Sequence, residues 1–230
     1  MSHHVTRISS CFLLLYRLYL ISIVRNFSQT HSQILTMKNQ NITGGILAGG
    51  QATRMGGADK GLQLLHGLPL YLHIAQKLSP QVASILISAN RNLERYRQSQ
   101  YPVITDETSD FSGPLAGMLA LLKQAQTPWV VFVPCDVPYF PSNLVETLYR
   151  HKGDALAVYA DDGQREHPTL ALLNRCLIPT LEAYLAQGDR KLMLFMRQIA
   201  AKPVLFANQA AAFINLNTPE DIANANHIAK

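Results

Sequence analysis

From Ile46 to Gly61 the chain reads Ile-Leu-Ala-Gly-Gly-Gln-Ala-Thr-Arg-Met-Gly-Gly-Ala-Asp-Lys-Gly, a short apolar run followed by glycines with two cations, Arg54 and Lys60, set among them. Those residue types in that order suit a phosphate cradle. Glycine lets the backbone take positive φ and bring its amides up to a ligand that a side chain would keep away. Arg54 and Lys60 offer the charge-assisted hydrogen bonds that a polyphosphate needs. The loop is not a P-loop, because Lys60 is followed by Gly61 and not by Ser or Thr, and no Gly-x-Gly-x-x-Gly opens a helix here. Glycines after an apolar run also make ordinary strand-to-helix turns.

Two aspartates stand where apolar runs end. Asp136 follows Trp129-Val130-Val131-Phe132-Val133-Pro134-Cys135, so its carboxylate is held with little freedom. It suits a hard divalent cation such as magnesium (Mg2+), which takes one or two carboxylates and completes its shell with phosphate oxygens and water. The alternative is a carboxylate that caps the turn before Pro138. Asp106 follows Val103-Ile104-Thr105 and could hold metal or a ligand hydroxyl. Ser88 and Asn90 follow Ser84-Ile85-Leu86-Ile87 in the same way. No Gly-x-Ser-x-Gly elbow is present, and no local pattern pairs a cysteine with a histidine. His167 could reach a site, although a lone histidine at a strand start is more often structural. Cradle, cations and metal are what direct phosphoryl or nucleotidyl transfer requires, since that chemistry is mainly positioning and charge neutralisation.

These residues need elements to carry them. Strands are expected at Thr43 to Leu47, Ser84 to Ile87, Val103 to Thr105, Trp129 to Val133, Ala155 to Ala160, His167 to Leu173 and Val204 to Phe206. Helical stripes run through Leu70, Ile74 and Leu78, with Pro69 at N1, and through Leu115, Met118, Leu119 and Leu122 after the Gly113-Pro114 turn. Further helices are expected at Leu93 to Gln98, Ser142 to Arg150, Ile178 to Ala186 and Leu192 to Ile199. A last one is capped by Thr218, with Pro219 at N1 and Asp221 reaching back. Strand and helix alternate, so the fold class is α/β, three layers with a mostly parallel sheet, and ligands belong at the carboxyl ends of its strands.

With 230 residues, 48% of them hydrophobic and 15% charged, the chain suits one globular domain with a sizeable core. The formal net charge of +5 includes Arg7, Arg17 and Arg25, and no acid precedes residue 37, which leaves +2 for the rest. That is too little for a nucleic-acid surface. Cys11, Cys135 and Cys176 have no paired spacing for a disulfide framework or zinc site, which suits a reducing cytoplasm. Residues 1–36 are expected to be an upstream extension, from an over-long start or as an apolar helix, with 37–230 as the single catalytic domain. A membrane-anchoring helix over Cys11 to Val24 is the rival, but that stretch is short for a bilayer and no small-x-small cleavage site follows it.

The motifs resemble, in order over residues 42–225, those of the molybdenum cofactor guanylyltransferases, the MobA proteins, within the nucleotidyltransferases of Rossmann-like, glycosyltransferase-A type. The residues are Leu47-Ala48-Gly49-Gly50, Arg54-Met55-Gly56-Gly57-Ala58-Asp59-Lys60-Gly61, Gly113-Pro114-Leu115-Ala116-Gly117-Met118, Pro134-Cys135-Asp136, His167-Pro168-Thr169 and Asn215-Leu216-Asn217-Thr218-Pro219-Glu220. The resemblance implies that Leu47, Ala48, Gly49 and Gly50 hold GTP, that Lys60 binds its phosphates, and that Asp106 binds the guanosine part. It implies that Asp136 binds both GTP and magnesium, and that Ser88 contacts the nucleotide where the family often has asparagine. Arg54, Lys60 and Asp136 would be catalytic, and Arg190, Asn215 and Asn217 would face molybdopterin. The implied reaction joins GMP to the terminal phosphate of molybdopterin and releases pyrophosphate. Implied partners are proteins that deliver molybdopterin or mature molybdoenzymes; neither nucleic acid nor membrane is expected, and a cytoplasmic monomer is. Rival readings are a related transferase using CTP or a sugar phosphate, and a nucleotide-binding adaptor without catalysis.

Overall fold

The structure is a computed structural model that describes residues 41–49, 59–106 and 113–228. By its contacts the chain divides into two units, Met1–Asn39 and Gln40–Lys230, and every element below belongs to the second. The residues 1–36 singled out above lie outside the described residues.

The described residues open with β1 (Ile42–Leu47), a turn of 3-10 helix at Lys60–Leu62, and a small hairpin of β2 (Leu64–Leu65) and β3 (Leu68–Pro69). Then follow α1 (Leu70–Leu78), β4 (Ser84–Ser88), α2 (Leu93–Tyr96), β5 (Val103–Ile104), α3 (Pro114–Gln124), β6 (Trp129–Pro134) and α4 (Leu144–His151). The second half adds β7 (Ala157–Asp161), β8 (Glu166–Asn174), α5 (Ile178–Ala186), α6 (Leu192–Gln198), β9 (Lys202–Leu205) and α7 (Pro219–Ile228). Seven strands form one sheet in the order β5-β4-β1-β6-β8-β7-β9. Pairings β1·β4, β1·β6, β4·β5 and β7·β9 are parallel, while β8 runs antiparallel to both β6 and β7.

Both faces of the sheet are covered, as the unbroken apolar run of β6 requires. Val131 and Val133 enter one core cluster with Ile74 and Leu78 of α1 and Leu144 and Leu148 of α4. Val130 and Phe132 enter the other, with Met118 and Leu121 of α3, Leu181 of α5 and Phe195 of α6. Each such side chain, fully buried, contributes about 1.5–3 kcal/mol of transfer free energy. The central strand β1 is thin so that helices can close on it: a Cβ on Gly44 would lie 2.7 Å from Leu78, and one on Gly45 would lie 2.9 Å from Leu121.

A third, smaller cluster joins Leu65 and Leu70 to Leu216, Ile222 and Ala225, so the C-terminal segment packs on the β2–β3 hairpin. His66 N donates to Asn226 Oδ1 at 2.6 Å across the same contact. Pro69 corrects the expected helix start: it is the cap of α1, with ψ 140, and not its first helical residue, because it pairs with Leu64 in the hairpin. The capping box of α7 is present as expected. Asp221 Oδ2 accepts from the amides of Asn217 and Thr218, each at 2.8 Å, and Thr218 Oγ1 accepts from Asp221 N at 3.1 Å.

Candidate functional site

Leu47 pairs with Ser88 on one side and Pro134 on the other, and Ser88 pairs with Ile104, so four parallel strands end level with one another. Their carboxyl ends form one rim at the place where strand order reverses, β4 and β5 lying to one side of β1 and β6 to the other. This is where an open α/β sheet leaves a crevice for a ligand. Ala48 N donates to Ser88 O at 2.9 Å and Cys135 N to Leu47 O at 3.0 Å, which extends the pairing one residue past each strand. Gly49 then leaves the rim, exposed, and a Cβ there would have only Asn90 Nδ2 within reach, at 3.7 Å. Gly50 and Arg54 lie outside the described residues.

Ser88, Asn90 and Asp106 meet on the β4–β5 side. Asn90 Nδ2 donates to Asp106 Oδ2 at 2.7 Å, Asp106 N donates to Asn90 Oδ1 at 3.0 Å, and Ser88 Oγ donates to Asp106 Oδ1 at 3.4 Å. The Asp106 carboxylate is thus fixed by amide and hydroxyl partners that do not neutralise it. Gly117 of α3 lies against this cluster, its missing Cβ only 2.7 Å from Ser88 Oγ.

Lys60 and Asp136 meet on the β6 side. Lys60 Nζ donates to Asp136 Oδ2 at 3.0 Å and to Asn217 Oδ1 at 3.0 Å. Leu216 N donates to Asp136 O at 2.8 Å, so the segment before α7 is tied to the end of β6 by backbone as well. The other carboxylate oxygen, Asp136 Oδ1, is buried with no hydrogen-bond partner among the described residues. A buried oxygen left in that condition fits a ligand to a hard cation. Among the described residues no three His, Cys, Asp or Glu side chains gather into a cage. The donor set therefore suits an ion whose remaining ligands are phosphate oxygens and water. Burial pushes the thiol of the neighbouring Cys135 up, with the Asp136 charge adding to the effect, which leaves it a small neutral core residue.

Asn215 and Asn217 line an open depression of about 480 Å³ that also includes Arg165, His167, Phe213 and Asp162. His167 is pinned in it: its Nε2 donates to Asp162 Oδ2 at 2.8 Å and its ring stacks on Phe213 with centroids 4.8 Å apart. Arg190 is not among the residues that line it; its Nη1 donates to Leu185 O and Asp189 O, each at 2.8 Å, at the end of α5. Neither Asp162 nor Asp59 was assigned a role from the sequence. Both sit just ahead of backbone amides that a carboxylate can accept, which is the signal that would have found them.

Residues 44–203 match the sequence profile of a MobA-like NTP transferase domain. A molybdenum cofactor guanylyltransferase of Serratia proteamaculans is 60% identical over 183 residues, covering 80% of this chain and 93% of the relative. Another, of Yersinia pseudotuberculosis, is 54% identical over 181 residues, covering 79% of this chain and 93% of the relative. The crystal structure of molybdopterin-guanine dinucleotide biosynthesis protein A from Archaeoglobus fulgidus has the same fold, with a TM-score of 0.66 at 23% identity over 81% of this chain and 97% of that one.

Proposed function

Since this chain belongs to the MobA-like NTP transferase family and is a nucleotidyltransferase, we propose that it transfers GMP from GTP to the terminal phosphate of molybdopterin. An oxygen of that phosphate attacks the α-phosphorus of GTP, the bond to the β-phosphate oxygen breaks in line, and pyrophosphate leaves. The product is the molybdopterin guanine dinucleotide.

The observation that carries this reading is the junction at Lys60, whose ammonium lies 3.0 Å from both Asp136 and Asn217. An ammonium has three protons to donate, and the described residues claim two of them, so the third is available to a phosphate oxygen. On one side of Lys60 lie the strand ends with Leu47, Ala48, Gly49, Ser88 and Asp106, which suit the nucleotide. On the other lies the depression with Asn215 and Asn217, which suits the pterin acceptor. Asp136, through its Oδ1, unpartnered among the described residues, would hold magnesium, which when bound would offset the negative charge on the phosphates in the transition state. Lys60, with Arg54 and Gly50 of the glycine loop, would orient the triphosphate and neutralise its charge. Arg190, between α5 and α6, would make an outer contact to the acceptor. The setting is the cytoplasm, where GTP is available, with a monomer receiving molybdopterin from a delivering protein and passing the dinucleotide to a molybdoenzyme-maturation protein.

The test is to incubate the purified protein with molybdopterin and each labelled nucleotide, with magnesium and with a chelator. GTP should yield the dinucleotide and pyrophosphate only when magnesium is present, and Asp136→Ala should abolish turnover. Preferential use of CTP would overturn the choice of nucleotide, and near-normal rates for Asp136→Ala at saturating magnesium would remove its metal role.

A further inference from the structure

Next to Lys60 in the chain lies a buried carboxylate. Asp59 is 6% exposed, and its side chain accepts from Tyr96 OH at 2.7 Å, from Asn92 Nδ2 at 3.0 Å and from Gly61 N at 3.2 Å. The Arg91 guanidinium, 3.7 Å away, balances its charge. Its carbonyl is used as well, by Leu62 N and Gln63 Nε2, each at 3.2 Å. Asp59 is the cap of the 3-10 turn whose first residue is Lys60.

Three further features show how closely this arrangement is fitted. Tyr96 is fully buried, and burial pushes its phenol up, so it remains a proton donor at every working pH. A Cβ on Gly61 would run into Tyr96 OH, so only glycine lets the hydroxyl close over the turn. Asn92 holds φ 50, a left-handed conformation costly to most residues and cheaper for asparagine, and in that conformation its amide reaches Asp59. A buried ionic group is weak evidence of stability, since apolar replacements are often as stable. What it supplies here is direction, because it fixes the backbone from which the Lys60 side chain departs.

We infer that Asp59, Asn92 and Tyr96 form a positioning seat for Lys60, setting its ammonium between Asp136 and Asn217 for the transfer step. This rests on the role given to Lys60 under the proposed function.

The test compares Tyr96→Phe, Lys60→Ala and the double variant in the GTP and molybdopterin assay. Tyr96→Phe keeps the ring and its edge contact with Tyr71, centroids 4.8 Å apart, so the fold is retained, which thermal melting checks. A displacement of about 1 Å at a catalytic group can cost on the order of a hundredfold, so loss of one of the seat's donors is expected to lower kcat/KM by roughly tenfold. On the Lys60→Ala background the same change should cost no more than about twofold, because groups acting through one another are not additive. Asn92→Gly, which keeps the left-handed backbone and removes the donor, should repeat this pattern. Full activity of Tyr96→Phe, or a loss that multiplies on the Lys60→Ala background, would overturn the seat alone. Full activity of Lys60→Ala would overturn the role of Lys60 and the seat with it.

Discussion

The Asp162 carboxylate accepts from His167 Nε2 and from the amides of Gln164 and Arg165, and these bonds, the first above all, hold its carboxyl down to about 2. In the unfolded chain the same group titrates at about 3.9. Its contribution to folding is therefore complete above that value and is lost as pH falls from there through about 2. Between about pH 4 and pH 2 the melting temperature of the natural chain should fall more steeply than that of Asp162→Asn; parallel curves would mean that the pair with His167 adds nothing to stability. At this scale the sequence is legible where function follows from position along a strand. Asp136 and Asp106 each end an apolar run, and the structure sets both on the rim. The contact of Lys60 with Asn217 was not legible, since the two are 157 residues apart and no local spacing records a tertiary contact.

Among the elements, α3 comes up against the rim through Gly117. An alanine in a helix interior is favoured over glycine by about 1 kcal/mol, but here its methyl would come 2.7 Å from Ser88 Oγ and turn the hydroxyl off Asp106. The two effects act on different observables. Gly117→Ala should leave the melting temperature close to that of the natural chain while raising the KM for GTP; an unchanged KM would show that the Ser88 hydroxyl is not needed where it stands. Strands β1, β4 and β6 were legible as apolar runs and α1 and α3 by their helical stripes, and even the two-residue β5 showed as the β-branched run Val103-Ile104-Thr105 before Asp106. The β2–β3 hairpin was not, since Leu64-Leu65 and Leu68-Pro69 hold no β-branched residue and end on a proline, and it draws Pro69 out of the helix it was expected to begin. Nor could the reversed direction of β8 be foreseen: Leu170 to Leu173 are buried on both faces, so nothing in their pattern marks which way the strand runs.

For the molecule as a whole, the Serratia proteamaculans relative is covered over 93% of its length by 80% of this chain, so a stretch of this sequence has no counterpart in that alignment. A chain begun at Met37 retains every element described above and should catalyse transfer at the rate of the full chain; an inactive or unfolded product would assign residues 1–36 a part in the domain. Among the described residues no helix is long and apolar enough to cross a membrane. The junction at Lys60 also has a consequence in time. A ribosome delivers the chain from its N terminus, so the glycine loop, Lys60 and Asp136 are all made well before Asn217 and the helix that packs on the β2–β3 hairpin. Until those last residues are made, Lys60 lacks its second acceptor and the depression lacks the wall formed by Phe213, Asn215 and Asn217. A chain cut short before Asn217 thus keeps Lys60 and Asp136 but lacks the contact that joins them to the depression, and under the proposed function it should not turn over nucleotide.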